Sequence, residues 1–237
     1  MIPDVRHFDR LDELSRQAAD ACVTVLSGAI AARGRCALAL AGGNTPRPLY
    51  DLLATDFSIR IDWTRVHVFW GDERYVPADD ERSNFRMARE TLLDHVSCPP
   101  GHVHPMPTEM AEPEDAALAY EQTLRQFFGP GIPKFDLVLL GLGADGHTAS
   151  LFPHSPALRE QTRLVVPVAA SADPPVRLTL TLPPLIASRR IFVLTAGADK
   201  QAALEKVLAP DADVNTYPAA ALRVAQERLT WWVARMG

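Results

Sequence analysis

The stretch FDLVLLGLGADGH (135–147) decides the fold. Phe135 to Leu140 is apolar but for Asp136, too short for an ordinary helix, and it stops at Gly141. Such a run reads as a strand buried on both faces, the pattern of a parallel sheet covered by helices. Further strand-like runs lie on either side of it: CALALA (36–41), VHVFW (66–70), LVVPV (164–168), RLTLT (177–181), IFVLT (191–195) and LTWWVA (229–234).

Helical patterns separate these runs. Residues 10–33 repeat Leu11, Leu14, Ala18, Cys22, Val25 and Ala29 at helical spacing, with Gly34 where a C-cap belongs. A second helix is predicted from Thr45-Pro46, with Thr45 as N-cap and Pro46 in the first helical position. Others are predicted at 83–96, 112–128, 198–208 and 218–227. Residues 97–107 are Pro-rich and loop-like, with a short strand at 102–104. Of the Trp231-Trp232 pair, one ring is expected in the core and the other partly exposed. Strands alternating with helices across short Gly or Pro turns predict an α/β fold. The expected form is a single-domain, mainly parallel sheet flanked by helices on both faces, doubly wound and Rossmann-like, with residues 1–237 as one domain.

The chain carries 24 Lys+Arg against 29 Asp+Glu, a net charge of -5. That argues against a general nucleic-acid binder, which shows a basic surplus. It leaves room for an anionic small molecule, because local cations can focus a field against the global sign. Cys22, Cys36 and Cys98 are odd in number and form no CxxC pair, so free thiols in a reducing cytosol are expected. The first residues are charged, and no run approaches the ~18 apolar residues of a membrane span. The expectation is a cytoplasmic protein with no membrane partner, a monomer or small homo-oligomer. His102 and His104 lie two apart without a Cys or acid at ligand spacing, so no metal site is predicted.

Ligands of such sheets sit beyond the carboxyl ends of the strands. Three of these ends are dense in chemistry. After CALALA come Gly42, Gly43, Asn44 and Thr45. Glycines allow close backbone approach, and a helix N-terminus offers free N–H groups to a phosphate. After VHVFW come Asp72, Glu73 and Arg74, read as a loop whose Asp72 and Arg74 meet a charged substrate. After FDLVLL come Asp145 and His147. A carboxylate two residues from a histidine can orient the ring and raise its basicity, which suits a general base. Gly141 to Gly146 literally matches G-x-G-x-x-G, but Pro153 leaves no room for the helix a dinucleotide site requires. The acid expected at the end of the next strand is also missing. Arg177, at the start of RLTLT, and Lys200, in the first turn of the 198–208 helix, complete the set. A lysine there opposes the helix dipole and calls for an anion.

The strings LALAGGNTPRPLYDLLA, VFWGDERYVPADDERSNFRMARETLL, FDLVLLGLGADGHTASLFPHS, RLTLT and TAGADK occur in this order. Together they resemble the 6-phosphogluconolactonases, in the superfamily shared with the hexosamine-6-phosphate deaminases. The resemblance runs from about residue 36 to about 206. It implies hydrolysis of a sugar-phosphate lactone, 6-phospho-D-glucono-1,5-lactone, in the pentose phosphate pathway, with no metal or organic cofactor. It also implies His147 as the catalytic histidine and Asp72 and Arg74 near the substrate. Gly43, Asn44, Thr45, Arg177 and Lys200 would lie on the phosphate side. The deaminase branch typically places an acid within a few residues of its DGH motif. The stretch 148–154 here has none, and Arg74 stands where that branch usually has an aromatic. A non-catalytic sugar-phosphate sensor would keep the anchors but would not need His147 beside Asp145.

Overall fold

Strands and helices alternate along the computed structural model, which describes residues 4–235. In chain order they are β1 (Asp4–Phe8), α1 (Leu11–Arg33), β2 (Cys36–Leu40), α2 (Arg47–Ala54), β3 (Val66–Trp70), β4 (Asp72–Arg74) and α3 (Asn84–Thr91). Then follow α4 (Pro113–Phe128), β5 (Leu137–Gly141), β6 (Val165–Ala169), β7 (Val176–Leu180), α5 (Leu182–Ala187), β8 (Ile191–Ala196), α6 (Ala198–Leu208) and β9 (Leu229–Ala234).

Six strands form a parallel sheet in the order β1-β9-β8-β5-β2-β3, flanked by helices. From β2 the chain moves outward to β3 on one side. From β5 it moves outward through β8 to β9 on the other. The switch point therefore falls between β2 and β5, where a crevice opens at the carboxyl ends of an α/β sheet. Leu38, Ala39, Val138 and Leu139 are fully buried there, as expected for strands covered on both faces. One apolar cluster runs from Leu14 and Leu26 of α1 through these strands to Trp231 of β9. Each fully buried Leu in it contributes roughly 1.5–3 kcal/mol.

The second sheet was not foreseen. β4, β7 and β6 pair antiparallel, so LVVPV and RLTLT do not extend the parallel sheet. Asp72–Arg74 is a strand, not a loop. Gly71 joins the two layers: its N–H donates to Leu40 O at 3.0 Å, and its carbonyl accepts from Leu180 N at 2.8 Å.

Other expectations need correction. Helix α2 begins at Arg47 with Pro46 in the preceding position, so Thr45 is not its cap. Ser83 does cap α3, accepting from Arg86 N at 3.1 Å, but the helix ends at Thr91 and a 3-10 turn follows at Leu93–His95. The strand at 102–104 reduces to one bridge, Val68 to Val103. The predicted helix at 218–227 is a run of 3-10 turns broken at Gln226, where φ is 49°. Trp232 is buried like Trp231. Edge strand β1 covers it, with Phe8 stacked at 5.9 Å and the Arg6 guanidinium 4.7 Å over the ring.

Candidate active site

A cleft of about 350 Å³ opens at the carboxyl ends of β2 and β5. Gly43, Asp72, Arg74, His147 and Lys200 line it, drawn from the segments that follow four strands, β2, β3, β5 and β8. Asn44 lies on an adjoining hollow that shares Gly43, Arg74 and Asn84 with the cleft. Thr45 and Arg177 line neither of the two.

His147 is held by Asp145. Asp145 Oδ1 lies 2.5 Å from His147 Nδ1 and accepts the His147 backbone N–H at 3.1 Å. The loop is wound tightly enough to need its glycines. A Cβ on Gly143 would stand 2.1 Å from His147 Nδ1, and Gly146 has φ 83°. Beyond the histidine, Thr148 Oγ1 donates to Gly141 O at 2.9 Å, which ties the loop back to β5. Ala149 lines the cleft with φ 48°, a left-handed conformation that costs a non-glycine residue of order 1 kcal/mol. No helix opens after Gly146; the next helical residues are the 3-10 turn Pro156–Arg159. This is the structural reason the dinucleotide motif fails.

Residues the sequence reading passed over hold Asp72. Ser150 Oγ donates to Asp72 Oδ2 at 2.6 Å, and Asn84 Nδ2 donates to Asp72 O at 2.9 Å. Asn84 packs so closely on Gly42 that a Cβ there would meet its Oδ1 at 1.8 Å. Glu73 faces away from the cleft and is 2% exposed. Burial pushes its carboxyl up to about 7, against the pull of backbone N–H groups from Asn84, Phe85 and Arg74. Glu73 thereby fastens β4 to the start of α3. Ser150 follows His147 by three residues, but nothing in the sequence shows that β4 lies beside it.

The cations arrive in two ways. Lys200 is in the first turn of α6 and has no carboxylate partner among the described residues. Arg74 and Arg177 are direct cross-strand partners in β4 and β7, and like charges placed so are unfavourable. Arg177 is 6% exposed, and its Nε is buried without a hydrogen-bond partner. Burial, and then Arg74 beside it, hold its guanidinium below the ordinary value. An anion next to this pair would relieve both effects.

His102 and His104 both pack against His67. His67 and His102 stack at 3.8 Å, and His67 Nδ1 lies 3.3 Å from His104 Nε2. Among the described residues no group of three or more His, Cys, Asp or Glu is arranged to hold a metal ion. No helix among them is long and apolar enough to cross a membrane.

An α/β sheet with a carboxylate-held histidine and two cations, Arg74 and Lys200, in its switch-point cleft has the charge to suit small anionic molecules. The family model of glucosamine-6-phosphate isomerases/6-phosphogluconolactonase matches residues 9–231. The 6-phosphogluconolactonase of Synechocystis sp. is 49% identical over 214 residues, which is 89% of this chain and 87% of that protein. The 6-phosphogluconolactonase of Mycobacterium tuberculosis is 41% identical over 242 residues, 99% of this chain and 97% of that protein. The solved structure of 6-phosphogluconolactonase from Trypanosoma cruzi superposes with a TM-score of 0.87 at 30% identity, covering 99% of this chain and 96% of that one. The chain belongs to the glucosamine-6-phosphate isomerase/6-phosphogluconolactonase family.

Proposed function

We propose that this chain hydrolyses 6-phospho-D-glucono-1,5-lactone to 6-phosphogluconate, with His147 as general base, acting in the cytoplasm as a single catalytic unit. The names of its relatives and the cleft support that reading. The observation that carries it is the 2.5 Å contact of Asp145 with His147 Nδ1, inside a cleft that also presents Arg74 and Lys200.

Lys200, Arg177 and the Gly43–Thr45 loop anchor the phosphate, and remote binding energy places the lactone carbonyl. With Nδ1 engaged by Asp145, Nε2 takes the proton from water. The water oxygen bonds to C1, and the carbonyl becomes an oxyanion. Within the 141–147 loop, the N–H groups of Gly143 and Gly146 are already bonded to His147 O and Gly143 O. Arg74 uses Nη1 on Arg82 O and keeps its other N–H groups for the oxyanion. The C1–ring oxygen bond then breaks. Protonated His147 returns the proton to that oxygen, and the carboxylic acid formed at C1 loses its remaining proton to solvent, so the product leaves as a carboxylate. Asp72, fixed by Ser150, accepts from a sugar hydroxyl with its remaining oxygen.

Lactone generated freshly from glucose 6-phosphate, followed by acid release at constant pH, tests the activity once spontaneous hydrolysis is subtracted. No excess rate contradicts the reading. Ammonia released from glucosamine 6-phosphate would instead place the chain in the deaminase branch.

A further inference from the structure

A second concentration of cations lies at the opposite end of the sheet. A hollow of about 280 Å³ sits where β2, β5 and β8 begin. Arg33, Arg35, Lys134 and Arg189 line it, and Asp136 is its one carboxylate. Four positive charges against one negative leave +3, in a chain of net -5. Asp136 is already engaged by Arg33 at 2.6 Å, Arg189 at 3.3 Å and Ala37 N at 2.9 Å. Arg35 and Lys134 have no carboxylate partner among the described residues.

Helix dipoles answer only part of this charge. α1 and α4 end at Arg33 and Phe128, and each carboxyl end carries roughly half a negative charge. About two positive charges remain over. The hollow also has an apolar wall. Phe127 and Phe128 form it with Ile132, which is 51% exposed, and the Arg35 guanidinium lies 4.3 Å over the Phe127 ring.

We infer that this hollow binds a small polyphosphorylated molecule bearing a flat apolar group, such as a nucleotide. The phosphates meet Arg33, Lys134 and Arg189, and the flat group lies against Ile132 and on the outer face of the Arg35 guanidinium, which itself covers the Phe127 ring. Five-residue strands at roughly 3.3 Å per residue set the hollow about 17 Å from the cleft, so an occupant leaves the cleft open. The inference does not depend on which reaction the cleft performs.

Calorimetry with inorganic tripolyphosphate and with ATP tests it on three full-length proteins: wild type, Lys200→Ala, and Arg35→Glu with Lys134→Glu. One ATP is expected to bind wild type and Lys200→Ala alike. Tripolyphosphate should bind more weakly than ATP. The double variant should bind both at least tenfold more weakly, with an unchanged circular dichroism spectrum and unchanged turnover in the cleft. No binding to wild type overturns the site. Binding lost in Lys200→Ala but kept in the double variant overturns it too, because the anion then belongs to the cleft. Equal affinity for ATP and tripolyphosphate overturns the role given to the apolar wall.

Discussion

One oxygen, Asp145 Oδ1, holds His147 at two points, the ring Nδ1 at 2.5 Å and the backbone N–H at 3.1 Å. The carboxylate therefore fixes the position of the residue and the tilt of its ring together. It also leaves Nε2 as the ring nitrogen free of Asp145, the one the proposed mechanism uses. Gly143 completes the arrangement by leaving the space that the ring fills.

That space predicts the effect of adding one carbon. Gly143→Ala puts a Cβ 2.1 Å from His147 Nδ1, so the ring must move. A displacement of about 1 Å at a reacting group costs roughly 10²-fold in turnover. We expect kcat to fall by about that factor while Tm hardly changes, since Gly143 is half-buried on a loop. Steady-state kinetics beside a thermal melt checks this. Wild-type kcat would show that the ring tolerates displacement.

Lys200→Ala removes a charged donor from the cleft without unburying anything. Hydrogen bonds to charged groups are worth roughly 1.5–3 kcal/mol. KM should therefore rise between about tenfold and 150-fold, with a smaller change in kcat. Weaker inhibition by inorganic phosphate should accompany it. An unchanged KM would remove Lys200 from the phosphate site.

The histidine cluster at the sheet edge makes stability depend on pH. His67 is held down to about 4, first by burial and then by the charges of His102, His104 and Arg35. The unfolded chain takes up this proton near 6.5. Between about 6.5 and 4 the unfolded state binds more protons, so His67 costs stability as pH falls through that window. Glu73 runs the other way, because its carboxyl is raised to about 7. The effect of His67 is therefore read as a difference. Wild type should lose more Tm than His67→Phe between pH 7.5 and pH 5. Equal losses would contradict the assignment.

What could be read from the sequence follows from burial. Runs covered on both faces, such as LVLL (137–140) and IFVL (191–194), declare themselves by continuous apolarity, and they place Gly43, His147 and Lys200 at strand ends. β1 does not, because DVRHF is an edge strand with three exposed residues whose role is to cover Trp232. β4 does not either. Asp72, Glu73 and Arg74 are all charged, and only the long-range pairing with β7 makes them a strand. Glu73 is buried in a segment that looks like surface, because backbone N–H groups eleven and twelve residues on bond to its carboxylate. Those contacts are tertiary. The same holds for Arg177, whose cross-strand position behind Arg74 depends on a sheet that no local pattern announces.

The central claim is that His147 takes the proton from water. Lactone hydrolysis followed at constant pH, with wild type and His147→Ala at equal concentration and the spontaneous rate subtracted, tests it most directly. Loss of the base should lower kcat by on the order of 10²–10⁴ with the fold intact by circular dichroism. Turnover by His147→Ala close to the wild-type rate would contradict the account.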